Sequence, residues 1–135
     1  MSGGWEEMYR ENILDHYQHP RHHGTLETPD VSYEDGNPLC GDRLRMDFRI
    51  ADGKIADVAF SGHGCSISQA SASMLCERVA GQSLEEVKKL SREDVLEMLG
   101  IELGPVRLKC ALLALKTLKA GIYGLKQWPG EEDES

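Results

Sequence analysis

The sequence has no long apolar run and no cluster of basic residues. Its longest strongly apolar stretch, residues 111–115, is far shorter than the ~20 residues that cross a membrane. Its first residues lack the basic and then apolar pattern of a signal sequence. Acidic residues outnumber basic ones by 23 to 15, which disfavours nucleic acid as a partner. We therefore predict a cytoplasmic protein that binds neither a membrane nor nucleic acid.

Cysteine is scarce, and the Cys-x-x-Cys pairs that mark most zinc sites are absent. Four cysteines could form two disulfides, but in a reducing cytoplasm cysteines more often bind metals or react. Because the paired spacing is missing, spacing alone does not identify a metal site. The surroundings of each cysteine therefore have to be considered in turn.

The chain of 135 residues has about the length of one domain, and we find no internal repeat. We predict a domain over residues 1–125 and an acidic tail over residues 126–135. Apolar residues at roughly helical spacing predict an amphipathic helix over residues 5–17, with its apolar face at Met8, Ile13 and Tyr17. Residues 18–38 are rich in His, Pro, Gly and Asp, and they predict a long loop or arm.

Residues 43–61 show the two-residue period of half-buried strands. Apolar side chains alternate with polar ones before and after Asp52-Gly53, a strong hairpin turn signal. The side chains expected to face the core are Leu44, Met46, Phe48 and Ile50, followed by Ala56, Val58 and Phe60. This pattern predicts an antiparallel hairpin.

The second half of the chain has the signals of several helices. Residues 66–80 approximate a helical stripe that Gly81 is placed to end. Ser83 with Glu86, and Ser91 with Asp94, predict the starts of two short helices, and Gly100 is predicted to end this segment. Pro105 suits the opening of a last helix, whose apolar stripe would be Leu108, Leu112, Leu115, Leu118 and Ile122.

Cys40 and Asp42 lie two residues apart, with Gly41 between them. In an extended backbone this spacing places both side chains on one side, where a thiolate and a carboxylate could share one ion. Asn37-Pro38 before them favours a fixed turn. Taken alone, an ordinary turn accounts for these residues equally well.

Cys65 follows Gly62-His63-Gly64 at the predicted start of a helix. Exposed amides and the helix dipole favour a thiolate there, so a ligating or reactive role is favoured over simple packing. His63 has the best claim of any histidine to a role beside it. The other histidines are expected in loops or at the surface; they are His16, His19, His22 and His23.

Cys110 lies beside Lys109 and near Arg107, cations that would attract a sulfide or persulfide anion. Taken alone, it could equally be a core cysteine of the leucine-rich helix. Cys76 has apolar neighbours and no polar pattern, so we assign it to packing or to the surface. The remaining cysteines and one carboxylate form a four-ligand set suited to tetrahedral zinc or to an iron-sulfur cluster with one oxygen ligand: Cys40, Asp42, Cys65 and Cys110.

Three stretches of the chain surround the candidate ligands: Asn37-Pro38-Leu39-Cys40-Gly41-Asp42, Gly62-His63-Gly64-Cys65-Ser66-Ile67-Ser68 with Ala70-Ser71-Ala72-Ser73-Met74, and Lys109-Cys110-Ala111. They resemble the IscU/SufU/NifU N-terminal family of iron-sulfur cluster assembly scaffold proteins. Asp15-His16-Tyr17, with Pro20-Arg21 and Gly24, is similar to the family's N-terminal signature. The resemblance extends over residues 9–121, with the motifs in the family's order.

The resemblance implies an α+β fold, a small antiparallel β-sheet with helices packed on one side and the three cysteines at one end. It implies a scaffold that receives sulfur from a cysteine desulfurase, combines it with iron, and passes a [2Fe-2S] or related cluster to apo iron-sulfur proteins or carrier proteins. By position, the metal or cluster ligands would be Cys40, Asp42, Cys65 and Cys110. Zinc is expected in the isolated protein, and iron or a [2Fe-2S] cluster in function.

The sequence departs from the family's pattern in two places. Lys109 stands where scaffold-type members have His, and it resembles the SufU branch, whose members bind zinc and accept sulfur. However, the chain lacks that branch's insertion before the last cysteine. Residues 103–107 read Leu-Gly-Pro-Val-Arg where the chaperone motif reads Leu-Pro-Pro-Val-Lys, which argues against a chaperone partner.

Three functions follow as alternatives. The first is a scaffold, the second a zinc-dependent sulfurtransferase, and the third a structural zinc domain for protein interaction. The exposed setting predicted for Cys40 and Cys65 counts against the third. Cys40 is the candidate sulfur acceptor because its loop is the least constrained by regular structure, and Lys109 has the candidate supporting role of steadying the anionic sulfur.

Overall fold

A computed structural model of the chain describes residues 3–37 and 41–123. A three-stranded antiparallel sheet in the order β1-β2-β3 packs against helices, which confirms the predicted α+β class. The two central helices, α2 and α5, lie on the sheet, while α1 packs on α2 and α4 on α5. The elements in chain order are α1 (Gly3–Gln18), β1 (Val31–Asn37), β2 (Asp42–Ala51), β3 (Lys54–His63), α2 (Ser66–Val79), α3 (Leu84–Lys88), α4 (Arg92–Leu99) and α5 (Pro105–Tyr123).

The predicted hairpin is present as β2 and β3, joined at Asp52 and Gly53. Both turn residues have positive φ, 54° and 71°, as a two-residue type I′ turn requires. One prediction about its buried face is wrong, because Ile55 is fully buried and Ala56 is exposed. The strand register shifts between Arg49 and Ile50, and this irregularity changes which residue after the turn faces the core.

The predicted loop over residues 18–38 is wrong in its second half, where β1 forms an additional strand beside β2. Contacts with α5 hold this strand in place. Lys116 of α5 forms an ion pair with Asp35 of β1, with Nζ 3.1 Å from Oδ2. At Gly121 of α5 the backbone lies so close to Tyr33 that an added Cβ would be 3.1 Å from the Tyr33 Cβ. The strand is therefore fixed largely by its partners rather than by its own apolar pattern.

The side of β3 that faces away from β2 is bonded to other parts of the backbone. The Phe60 amide donates to the His22 carbonyl at 2.9 Å, and the Gly24 amide donates to the Phe60 carbonyl at 2.7 Å. Near the start of the strand, the Ile55 amide donates to the Gln82 carbonyl at 2.9 Å, and the Gly81 amide donates to the Ile55 carbonyl at 2.8 Å. Both ends of this strand are thus tied to neighbouring segments.

The helix boundaries follow the predicted capping signals closely. Ser91 and Asp94 form a reciprocal capping box at the start of α4, and Gly100 ends that helix with a left-handed φ of 69°. The Ser83 hydroxyl accepts from the Glu86 amide at the start of α3. Helix α5 buries more than the predicted leucine stripe, because the sheet and other helices enclose it on several sides.

The N-terminal helix is present, but only one of the three residues predicted for its buried face, Ile13, is buried. Met8 is 67% and Tyr17 45% exposed, while Ile13 and His16 are buried at 6% and 5%. Within residues 3–37 and 41–123, no helix is long and apolar enough to cross a membrane. The predicted acidic tail at residues 126–135 lies outside the described residues.

Candidate metal centre

The hairpin brings Asp42 and Cys65 together, although 23 positions separate them in sequence. Asp42 is the first residue of β2, and Cys65 follows the end of β3 as the N-cap residue of α2. The Cys65 amide donates to the Asp42 Oδ1 at 3.0 Å, and the Cys65 Sγ lies 3.7 Å from the Asp42 Oδ2. One carboxylate therefore holds both the backbone and the thiol of Cys65.

Gly64 allows this close approach, because there is no room for a side chain at its position. A Cβ on Gly64 would lie 2.7 Å from the Asp42 Cγ and 2.7 Å from the Ser68 Oγ. The Ser68 hydroxyl, buried in the first turn of α2, donates to the Cys65 carbonyl at 3.1 Å. The glycine before Cys65 thus has a physical role that its sequence position did not predict.

The accessibility of the two groups differs. Asp42 is only 2% exposed, whereas Cys65 is exposed to solvent at the start of α2. The side chain of Cys65 makes no capping hydrogen bond to the helix, so its sulfur remains available to a ligand.

Cys110 reaches the same place from the other side, on the second turn of α5, and it is buried at 2% exposure. One ligand atom from each of Asp42, Cys65 and Cys110 lies within 4.8 Å of the others. Zinc–sulfur bonds near 2.3 Å would place tetrahedral ligand atoms roughly 3.7 Å apart. Two sulfurs and one carboxylate oxygen therefore fit a thiophilic metal after closing by about 1 Å.

Three of the four predicted ligands are thus brought together. The fourth, Cys40, lies outside the described residues, so its place in the set stays a prediction. Lys109, beside Cys110 on α5, is half-buried. His63 ends β3 in an exposed position, with its Cα paired to that of Arg43, and it is not among the clustered ligand atoms of the described residues.

The remaining cysteine is in the core, which is one of the two positions predicted for it. Cys76 on α2 is fully buried, and burial alone raises the pKa of its thiol strongly. A protonated thiol in an apolar setting is neither a good ligand nor a good nucleophile. Cys76 therefore serves as a matched control for the other cysteines.

His16 differs from its predicted surface position. Its Nδ1 lies 2.7 Å from the Ser73 Oγ of α2, and its Nε2 lies 3.7 Å from the Glu77 Oε1. The Arg21 amide donates to the same Ser73 hydroxyl at 2.8 Å. Sequence analysis missed this network, although the i, i+3 spacing from buried Ile13 was a signal that His16 faces the core.

The chain resembles known proteins over most of its length. The family described as "NifU-like N terminal domain" matches residues 8–131. The zinc-dependent sulfurtransferase SufU of Bacillus subtilis (strain 168) is 33% identical, with 85% of this chain and 89% of that protein covered. The iron-sulfur cluster assembly scaffold protein IscU of Escherichia coli (strain K12) is 36% identical, with 87% and 94% covered.

Solved structures agree with these sequence relatives. A crystal structure from Fervidobacterium islandicum AW-1, described as a candidate iron-sulfur cluster assembly scaffold protein for the SUF system, superposes with a TM-score of 0.68. It is 34% identical, and the match covers 86% of this chain and 97% of that one. An N-terminal NifU-like protein from Brucella abortus, at 21% identity and a TM-score of 0.71, shares the fold.

Proposed function

Because the chain belongs to the NifU-like N-terminal domain family, we propose that it receives sulfur from a cysteine desulfurase and assembles or relays a [2Fe-2S]-type cluster. Its relatives named IscU and SufU make it an iron-sulfur cluster assembly protein in the broad sense. The observation that carries the finer proposal is the convergence of Asp42, Cys65 and Cys110 within 4.8 Å. Cys40 is proposed as the fourth ligand.

The three described ligands suit a cluster that has to be assembled on the protein and then released. Cys65 is exposed and gives iron a point of entry, whereas Cys110 is buried and fixed on α5. Asp42 contributes a hard oxygen among soft sulfurs, which weakens the hold on a thiophilic cargo. Such a site binds a cluster without enclosing it completely.

Sulfur entry follows from thiol chemistry. A thiolate of this chain attacks the outer sulfur of a persulfide on the desulfurase. A new S–S bond forms on the acceptor while the S–S bond of the donor breaks, and the donor cysteine leaves as a thiolate. Cys40 is proposed as the acceptor, and Lys109 is proposed to steady the transferred anionic sulfur.

A second candidate function is a zinc-dependent sulfurtransferase without a scaffold role. Lys109 in place of the scaffold-type His favours it, and so does the similarity to the Bacillus subtilis protein of that name. Zinc, when bound, would keep its cysteine ligands in the thiolate form. The same residues, Cys40, Asp42, Cys65 and Cys110, would hold it. A purely structural zinc domain is disfavoured because Cys65 is exposed.

Anaerobic reconstitution of the full chain tests both functions. The protein is incubated with a cysteine desulfurase, cysteine, ferrous iron and a thiol reductant, and the visible absorption and acid-labile sulfide are followed. We expect a cluster on the wild-type chain and on Cys76→Ser, and none on Cys65→Ser or Cys110→Ser.

The same experiment separates the alternatives. Persulfide that appears on the zinc-loaded chain, with no cluster under any iron condition, favours the sulfurtransferase. A chain that takes up neither sulfur nor iron contradicts both functions. Transfer of the cluster to an apo iron-sulfur protein or a carrier protein tests whether these proteins accept it. Omitting a chaperone tests whether the transfer proceeds without one.

A further inference from the structure

Asn37, the last residue of β1, lies against the sulfur of Cys110. It is only 1% exposed, and its side-chain Nδ2 donates to the Cys110 Sγ at 3.8 Å across 73 positions of sequence. A deprotonated sulfur accepts hydrogen bonds but cannot donate them, so the amide nitrogen is the atom suited to face it. The contact places a neutral hydrogen-bond donor at the buried end of the group of ligand residues.

We propose that Asn37 is a positioning residue for the metal or cluster site, whose side-chain amide orients the Cys110 sulfur and reduces its negative charge. The inference rests on the proposed function, since it assumes that Cys110 ligates. A donor to a ligating sulfur fixes its direction and spreads its charge. The sulfur then binds a metal with a defined orientation, and the hydrogen bond contributes to the reduction potential of a bound cluster.

The structure holds Asn37 in place from both sides. Its backbone carbonyl accepts from the Gly41 amide at 2.8 Å, which joins the two residues that flank positions 38–40. Two residues earlier in β1, Asp35 pairs with Lys116 of α5, and both side chains are largely buried, at 20% and 13% exposure. The amide is thus tied to the helix that carries Cys110, and it does not depend on the metal for its position.

This link has a geometric consequence for the whole site. Asn37 ends β1 and Asp42 begins β2, and their Cα atoms are paired in the sheet. The side chain of Asn37 therefore connects the sheet end that carries Asp42 with the helix that carries Cys110.

The absorption spectrum of the protein with cobalt(II) in place of zinc reports directly on the ligating sulfurs, including that of Cys110. Sulfur-to-cobalt charge transfer absorbs in the near ultraviolet, and a hydrogen bond to the sulfur raises its energy by stabilising the sulfur lone pair. In Asn37→Leu, which keeps a similar volume without a donor, we expect this band to move to lower energy. We also expect zinc affinity, measured against a chromogenic chelator, to fall by about tenfold or more, as for other partners of metal ligands.

Two variants separate the donor from simple packing. Asn37→Gln keeps the amide and should recover most of the wild-type band position. Lys116→Met loosens the same β1–α5 junction without removing the donor, so it should lower the melting temperature and leave the band in place. If Asn37→Leu does not fold, Asn37→Ala removes the donor with a smaller side chain and should show the same shift.

The outcomes distinguish this inference from the proposed function. If wild type binds cobalt through thiolates and Asn37→Leu has the same spectrum and the same zinc affinity, the role of Asn37 is refuted while the site stands. If Lys116→Met shifts the band as much as Asn37→Leu, the effect is packing and the inference is also wrong. If wild type shows no thiolate band at all, the proposed metal site fails first.

Discussion

Each carboxylate oxygen of Asp42 contacts a different atom of Cys65. Its Oδ1 accepts from the Cys65 amide at 3.0 Å, and its Oδ2 lies 3.7 Å from the Cys65 Sγ. The first contact is structural, because it satisfies the amide at the start of α2. The second leaves one oxygen facing the sulfur, where a metal would share it.

Replacing Asp42 with Ala should make a bound cluster longer-lived. The oxygen ligand exchanges more readily than thiolate at a soft metal, so its removal slows release several-fold. Transfer of the cluster to an apo acceptor, followed by visible circular dichroism, measures the rate. Asp42→Asn keeps an acceptor for the Cys65 amide and controls for the loss of that bond. Equal or faster transfer from Asp42→Ala would sink this prediction.

Cys40 should carry the first persulfide after one turnover of the desulfurase. Cys110 is buried, and Cys65 is held by Asp42 through its amide and its sulfur, so both have neighbours that oppose a large displacement. Peptide mapping by mass spectrometry identifies the modified cysteine, with Cys76→Ser as the control that should change nothing. Persulfide found only on Cys65 or Cys110 refutes the assignment.

The local sequence predicted some of these residue-level features and did not predict others. The packing role allowed for Cys76 is confirmed by its core position, whereas the close approach that Gly64 permits was not predicted. The contact between Asn37 and Cys110 was not predictable, because it depends on how β1 docks on α5. A hydrogen bond between residues so far apart in sequence leaves no periodic signal.

At the scale of elements, capping chemistry was the most informative sequence signal. Ser91 with Asp94 and the later Gly100 marked both ends of α4, because these residues supply hydrogen bonds and a left-handed φ locally. Strand β1 was missed because its stability comes from pairing with β2 and docking on α5. The exposed Ala56 was mispredicted because a register shift cannot be read from alternation.

The packing of α1 on α2 should depend on pH through His16. The pKa of His16 is lowered, chiefly because burial disfavours the imidazolium; Arg21 adds to this, while Glu77 and Asp15 oppose it. The unfolded chain therefore binds a proton more readily than the folded chain. The stability that neutral, buried His16 contributes is fully present above the pKa of histidine in the unfolded chain, about 6.5, and it is lost as pH falls toward the pKa of His16 in the folded chain.

Urea unfolding from about pH 7.5 to about pH 5 measures this dependence. We expect the wild-type midpoint to fall more steeply with decreasing pH than that of His16→Asn, which keeps an amide near Ser73 but does not titrate. His63→Gln, at an exposed position, should retain the wild-type slope. Parallel slopes for wild type and His16→Asn would contradict the assignment.

At the scale of the whole molecule, the site lies where separate parts of the fold meet. Asp42 belongs to the sheet, Cys65 to the start of α2 and Cys110 to α5. Spacing along the chain could not predict this convergence, because these elements lie far apart in sequence. The resemblance to a family supplied it, and the folded chain brings three of the four residues together.

A metal that joins these elements should stabilise the fold. Binding to the native state alone contributes about 4 kcal/mol at a thousandfold excess over Kd, which corresponds to a melting temperature higher by roughly 15 °C. Thermal unfolding with zinc and with a chelator measures this difference. We expect Cys110→Ser to lose most of it and Cys76→Ser to keep it. A wild-type melting temperature that zinc does not change would contradict the prediction.

The backbone bonds along the outer side of β3 have a consequence for solubility in concentrated solution. An open strand edge templates the addition of another molecule's strand, and a hydrophobic one invites edge-to-edge polymerisation. Here the segments around His22 and Gln82 occupy hydrogen-bonding groups of Phe60 and Ile55. The residues around His22 thus protect this strand edge from self-association. A chain truncated from the N-terminus beyond them would expose backbone groups of β3 to pairing with another molecule, even if its metal ligands were intact.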